Sequence, residues 1–186
     1  MAKRKPPPAA AVAEALENAD LLDAPAGLLA NAVTSVVAEG RVRDALAGRP
    51  LGHALHPLLT DVAVGAWMSS VILDFGGSAT EAGADALIAV GMVSALPTAA
   101  TGWWDFSQSS IAQRRVGLVH AASNVTALAL FGASWRSRSG GGRARGRALS
   151  GLAAGALGVG GFLGGHLAFA RGVGVGDRTE PSARSD

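Results

Sequence analysis

Few side chains in this chain of 186 residues could hold a ligand or exchange a proton near neutral pH, since it has four histidines and no cysteine. His53, His56, His120 and His166 each stand at the edge of a long apolar run. Imidazole is the commonest metal ligand and changes charge between about pH 5 and 8. At membrane depth it is costly and turns toward a bundle interior or a cavity, so four histidines gathered at one end of a bundle suggest a ligand or redox site. The absence of thiolates excludes disulfides, zinc–thiolate sites and any iron–sulfur cluster ligated by this chain alone. A cofactor would have to rest on histidine, carboxylate or backbone groups.

Three chemistries fit these residue types, and the residues leave all three open. In the first, two histidines from different helices ligate a b-type haem axially across a bundle core. In the second, His53, His56 and one or two of His120, His166, Asp61 and Asp105 bind a divalent metal through imidazole and carboxylate. In the third, the histidines hydrogen-bond neighbouring helices or lipid head groups and hold nothing. Asp61, about a turn and a half after His56, is placed either to accept the second N–H of an imidazole or to cap a helix start near Thr60. The candidate cofactor-binding set is therefore His53, His56, His120, His166 and Asp61. Haem b is a possible cofactor, the identity of any metal is open, and no residue is assigned to catalysis.

These side chains need elements to position them. Hydrophobic residues make up 49% of the chain and charged residues 16%, with 26 glycines and no tyrosine, the composition of a small membrane protein. Four apolar stretches, near 57–75, 84–104, 116–135 and 148–170, approach the roughly 20 helical residues that cross about 30 Å of hydrocarbon. Pro57 suits a first helical turn but restricts His56 toward extended geometry, turning it from any face shared with His53. Pro97 should bend the second stretch, and the Trp103-Trp104 pair marks an interface. In the fourth, Gly151 with Gly155, Gly160 with Gly164 and Gly161 with Gly165 repeat at four-residue spacing, the pattern of an interior helix closely approached by a neighbour. Asp74 should reach the interface or pair with an arginine of the loop near 136–147, Asn124 should bond across helices, and Trp67 should pack mid-span.

Short connections force an up-down-up-down path, which brings the start of the first span, the end of the second, the start of the third and the end of the fourth to one face. All four histidines belong to that face. The fold class is thus all-α: an integral membrane four-helix up-down bundle with N-terminal amphipathic helices. Residues 1–8 form a basic, proline-rich disordered tail without the apolar run of a signal peptide. Residues 9–50 form the amphipathic segment, with one helix from Ala9 to about Asp23 that Pro25 and Gly27 break, and a second from about Leu28 to Leu46. Such helices could lie on the membrane surface or cap the bundle, and of these the partner-free surface helix is the favoured reading. Residues 51–175 form the membrane domain and 176–186 a disordered tail.

The segment Leu51-Gly52-His53-Ala54-Leu55-His56-Pro57-Leu58-Leu59-Thr60-Asp61, continuing through Gly65-Ala66-Trp67 to Leu73-Asp74, resembles the signature of a bacterial four-helix membrane domain of unknown function. Pro97-Thr98, Thr101-Gly102, Arg114 to His120, Gly164 to Leu167 and Arg171 to Val175 extend the resemblance. Ala54 departs from the proline common after the first histidine. Relatives carry this domain alone or ahead of a Rieske iron–sulfur domain. The resemblance implies a multi-pass protein of a bacterial cell membrane with a redox-linked role, and an iron–sulfur partner served in trans.

The pI of 9.9 is the mark of many nucleic-acid binders, but the arginines lie beside apolar runs, where they anchor to anionic head groups and set topology. Nucleic acid is therefore not an expected partner, whereas the bilayer is, and a homo-oligomer is compatible with the sequence. Seven arginines on the terminal face against five in the loop near 136–147 lean toward both termini inside. Two functions follow: a haem-binding or electron-transfer protein, or a non-catalytic membrane scaffold that anchors a partner such as an iron–sulfur protein through glycine-rich and amphipathic faces. No P-loop, catalytic triad or paired-carboxylate cleft can be assembled from the residues, and whether the chain is an enzyme stays open.

Overall fold

The structure, a computed structural model, describes residues 7–37 and 40–174. Both expected tails lie outside the described residues, apart from Pro7 and Pro8. Among the described residues there is no strand, and seven α-helices follow one another: α1 Pro8–Glu17, α2 Asp23–Val36, α3 Arg41–Leu46, α4 Leu55–Leu73, α5 Glu81–Ser107, α6 Ile111–Ser139 and α7 Arg143–Gly165. A π-helical turn, His166–Ala170, extends α7. Four of these elements, α4 to α7, are long and apolar enough to cross a membrane. Each of α5, α6 and α7 with its π-helical turn is longer than its apolar run, because the interhelical loops are only a few residues and the polar ends stay helical. A capping box at Ser110 and Gln113 starts α6.

The bundle is built as two hairpins, α4–α5 and α6–α7, each packed more extensively within itself than against the other. Between the hairpins α5 meets α6 and α4 meets α7, which leaves α4 and α6 on a diagonal. Parallel helices on a diagonal touch only through long side chains, and three pairs do so at one residue separation. His56 faces His120 with ring centroids 6.5 Å apart. Trp67 stacks on Phe131 at 4.8 Å and 11°. Asp74 meets Arg138 through two hydrogen bonds of 2.6 Å. The core is thus layered, with imidazoles at one end, aromatic rings in the middle and an ion pair at the other. Ala63 with Ala127 and Ser70 with Ser134, buried at the same separation, fill the rest of the diagonal. The two hairpins thus meet across this diagonal in one constant register of 64 residues.

Outward faces carry Ile72, Val93, Leu96, Val125 and Leu152, all more than half exposed, a belt that suits lipid and would promote association in water. The glycines of α7 divide between the two faces. A Cβ on Gly160 would fall 2.5 Å from Asn124 and one on Gly164 2.8 Å from His120, whereas Gly151, Gly155, Gly158 and Gly161 have nothing within 4 Å. Gly160 and Gly164, with Gly146 against the Arg138 side chain, serve close approach within the bundle.

The N-terminal segment departs from expectation. The chain breaks at Asn18 and Ala19, not at Pro25, because α2 begins at Asp23 and places Pro25 in a first turn whose N–H groups have no intrahelical acceptor. A second break after Val36 separates α2 from α3. Nor are α1 and α2 partner-free. Ala13 is buried with Val116, Leu163 and Leu167, and Ala26 and Ala30 with Phe106. Trp103, expected at an interface, packs edge-on to Phe106, and Trp104 lies buried beneath the Arg43 guanidinium.

Arginines expected to anchor to lipid clamp this cap instead. Arg115 grips Asp23 with two bonds of 2.6 and 2.9 Å and donates to the Glu17 carbonyl. Arg171 grips the Glu17 carboxylate at 2.5 and 2.6 Å. Arg171, opposed by burial and assisted by His166, holds that carboxyl below its ordinary 4.5, and Arg115 holds Asp23 below its ordinary 3.8. A depressed folded pKa stabilises above the unfolded value and ceases to do so as pH falls through the folded one. Hydrogen exchange should therefore show α1 and the start of α2 losing protection below about pH 4 while α4 to α7 keep theirs. In Arg171→Ala the loss of protection in α1 should appear at neutral pH. Unchanged protection in both cases would rule out the clamp.

Candidate functional site

The imidazole layer joins α4 to α6 at one end of the bundle. His56 stands in the first turn of α4, not in the extended geometry expected from Pro57: at the third helical position Pro57 replaces an N–H that has no intrahelical acceptor. Its ring lies over Gly102 of α5, where a Cβ would come within 2.7 Å, and its Nδ1 lies 2.9 Å from the Thr98 carbonyl. His120, three turns into α6, repeats the arrangement. Its ring lies over Gly164 of α7, and its Nδ1 lies 2.8 Å from the Gly160 carbonyl. In each hairpin the accepting carbonyl is one helical turn before the glycine. A carbonyl only accepts, so Nδ1 carries the proton in both rings and Nε2 keeps the lone pair. This is the tautomer and anchoring found where histidine ligates a metal.

The two rings are nearly perpendicular, at 83°, and border a largely apolar cavity of about 240 Å³. Trp67 and Leu128 line its inner part, Phe106 and Gly161 its sides, and Ser109 and Gln113 its polar end. Asn124 and Thr60, one turn after the two histidines, also line it. Asn124 was expected to bond across helices; its Nδ2 lies over the His120 ring on its own helix, 3.0 Å from Nε2 and 3.5 Å from Nδ1, because residues four apart are neighbours on one face. Thr60 donates to the His56 carbonyl at 2.8 Å.

The remaining candidates lie elsewhere. His166 shares the histidine end of the bundle, but the π-helical turn leaves its Nε2 2.8 Å from Glu17, on the α1 clamp rather than the cavity. His53 is exposed in the turn before α4. Asp61 is exposed on the outer face of α4 and makes no hydrogen bond among the described residues, so it orients neither imidazole; the Thr98 and Gly160 carbonyls do that. No group of three or more metal-ligating side chains occurs among the described residues. Asp105 lines the cavity but forms no such group. Sequence reasoning missed the two carbonyls and the glycine seats. The only local sign of them is the glycine lying four residues after Thr98 and again four after Gly160.

At the opposite pole, Asp74 pairs as expected with an arginine between the third and fourth spans. Arg138, with 1% of its side chain exposed, also bonds Ser134 and Ser150, while Arg143 grips Asp85 at 2.6 and 2.7 Å. These arginines are engaged with carboxylates. The two poles differ accordingly: one is closed by fixed charge and the other retains unspent imidazole capacity.

Residues 52–177 match the family model described as predicted membrane protein (DUF2231), and the chain belongs to that family. Searches of curated proteins and of solved structures return no match.

Proposed function

We propose that this member of the family holds one b-type haem between His56 and His120 and serves electron transfer within the membrane. The observation that carries this reading is the 6.5 Å separation of two imidazoles whose Nδ1 protons are both held by backbone carbonyls. An ion bound by two opposed imidazole nitrogens at about 2 Å each leaves ring centroids about 6 Å apart. With two protein ligands and an apolar surround, a bare divalent ion would be under-coordinated. A porphyrin iron needs only two axial ligands from the protein, and when bound it would supply one-electron chemistry.

The chain's own residues would perform three tasks. Thr98 and Gly160 orient the ligands and raise their basicity. Gly102 and Gly164 leave room for the imidazoles to lie flat against their hairpins. The apolar lining excludes water, and Ser109 and Gln113 offer polar partners at the end of the cavity for carboxylate substituents. A Rieske-type partner served in trans, a bacterial cell membrane and both termini inside are parts of the same proposal, supported by the resemblance of residues 51–175 and by the arginine distribution.

Protein produced with ample haem and purified in detergent should carry about one haem per chain, with a Soret band that shifts reversibly on reduction. His56→Ala and His120→Ala should each lower haem content at least ten-fold, whereas His166→Ala should retain it. A colourless wild-type protein, or a band that survives loss of both His56 and His120, would refute the assignment.

A further inference from the structure

We propose that the groove between α3 and the outer face of the α4–α5 hairpin binds one anionic phospholipid of the surrounding bilayer, with an acyl chain along the groove and the phosphate on Arg41. The site is separate from the imidazole layer and does not depend on the haem reading. The groove has a volume of about 370 Å³ and is lined by Leu55 and Leu59 of α4, by Pro97, Ala100 and Thr101 of α5, and by the α3 side that carries Arg41. Leu55 and Leu59 are one turn apart, as are Thr101 and Pro97 on the antiparallel α5, so the groove runs along the helix axes from the histidine end toward mid-span. A bilayer acyl chain has that same direction. Thr101 spends its hydroxyl on the Pro97 and Thr98 carbonyls, which leaves Arg41 as the one polar lining side chain free to bond an occupant.

Arg41 also stands at the right depth. The Arg43 guanidinium lies 5.4 Å from the centre of the Trp104 ring, close to the end of α5, which fixes α3 at the level of the helix ends. Head groups lie at that level when the four spans cross the hydrocarbon. Four other arginines of this pole are engaged: Arg115 with Asp23, Arg171 with Glu17, Arg49 with Asp44, and Arg114 with the Phe106 and Ser107 carbonyls. Arg41 is exposed and has no hydrogen bond or ion pair among the described residues. A guanidinium above an apolar groove matches a phosphate above its own acyl chain, because the planar fork can bond two phosphate oxygens at once.

The test is native mass spectrometry of the full chain released from detergent micelles doped with phosphatidylglycerol or phosphatidylcholine. Wild type should retain one phosphatidylglycerol in preference to phosphatidylcholine. Arg41→Gln should reduce phosphatidylglycerol retention about five-fold, the contribution of one basic residue at an anionic surface, and leave phosphatidylcholine unchanged. Ala100→Phe, which fills the groove from an exposed position, should reduce retention of both lipids, and Arg145→Gln, at an exposed arginine of the opposite pole, should reduce neither. The first two variants probe different halves of the site, so one that fails to fold leaves the other decisive. Equal retention of the two lipids by wild type, or wild-type retention in Arg41→Gln and Ala100→Phe, would overturn the proposal. So would a polypeptide that co-purifies with wild type and is lost from Ala100→Phe while neither retains lipid. A colourless protein with the expected lipid pattern refutes the haem reading alone.

Discussion

Arg138→Ala should destabilise the protein by about 3–5 kcal/mol, the cost of leaving a buried charge without its partner. Arg138 is the most constrained cation in the fold: two bonds to Asp74, one each to Ser134 and Ser150, and 1% of its side chain exposed. It ties α6 to α4 across the diagonal and to α7 within its hairpin. Its removal strands Asp74, itself only 9% exposed, in surroundings with little water to solvate it. Arg147 is 3.9 Å from Asp74 but is turned toward Glu81 and is a poor substitute. Arg138→Lys should recover only part of the loss, because an ammonium cannot bond both carboxylate oxygens in the planar fork. The double replacement Arg138→Leu with Asp74→Leu should be far milder than either single change, since a buried pair contributes little net stability against an apolar pair of similar volume. Thermal unfolding in detergent measures each of these variants. A single-variant loss below about 1 kcal/mol would mean that the pair is solvated and the layered core misdescribed.

Gly164→Leu should disable the imidazole layer and loosen the α6–α7 hairpin in one step. A Cβ there would sit 2.8 Å from the His120 ring, and the branched carbons beyond it would need the volume the ring occupies. The ring cannot withdraw without giving up its bond to the Gly160 carbonyl. Overpacking of this kind costs about 1–3 kcal/mol, and haem occupancy should fall at least ten-fold with it. Gly155→Leu on the same helix meets nothing within 4 Å and should change neither property. The contrast also separates the two functional readings. Outward glycines matter only if another chain packs on them, so a defect confined to Gly155→Leu, with Gly164→Leu tolerated, would favour a membrane scaffold.

The span count, the alternating path and the gathering of histidines at one end were legible because each follows from local quantities: run length against bilayer thickness, and parity of crossings. Which histidines meet was not legible. His53 lies in the turn before α4 and His56 in its first turn, so the point at which the helix starts separates an exposed ring from one in the cavity. His166 sits on a π-helical turn whose changed phase takes it to Glu17, and no spacing rule reports such a turn in advance. Asp61 looked like an orienting carboxylate because it is near His56 in sequence. Its phase puts it on the opposite side of α4, and main-chain carbonyls, which every residue has, take the role instead. The N-terminal helices were misread for a related reason: a weakly amphipathic, alanine-rich helix presents the same pattern whether its small face rests on lipid or on another helix.

The sequence by itself determined a membrane-embedded, all-helical chain with its imidazoles at one pole, because hydropathy and length are summed along the chain and need no knowledge of neighbours. Only the tertiary structure decided that His56 and His120 form the pair, that their Nδ1 atoms face main-chain carbonyls, and that α4 and α6 meet across the diagonal in one register. Those facts depend on helix phase and on which carbonyl faces which ring. Both are fixed when the side chains of two hairpins interlock across a diagonal, and that contact joins residues far apart in the chain.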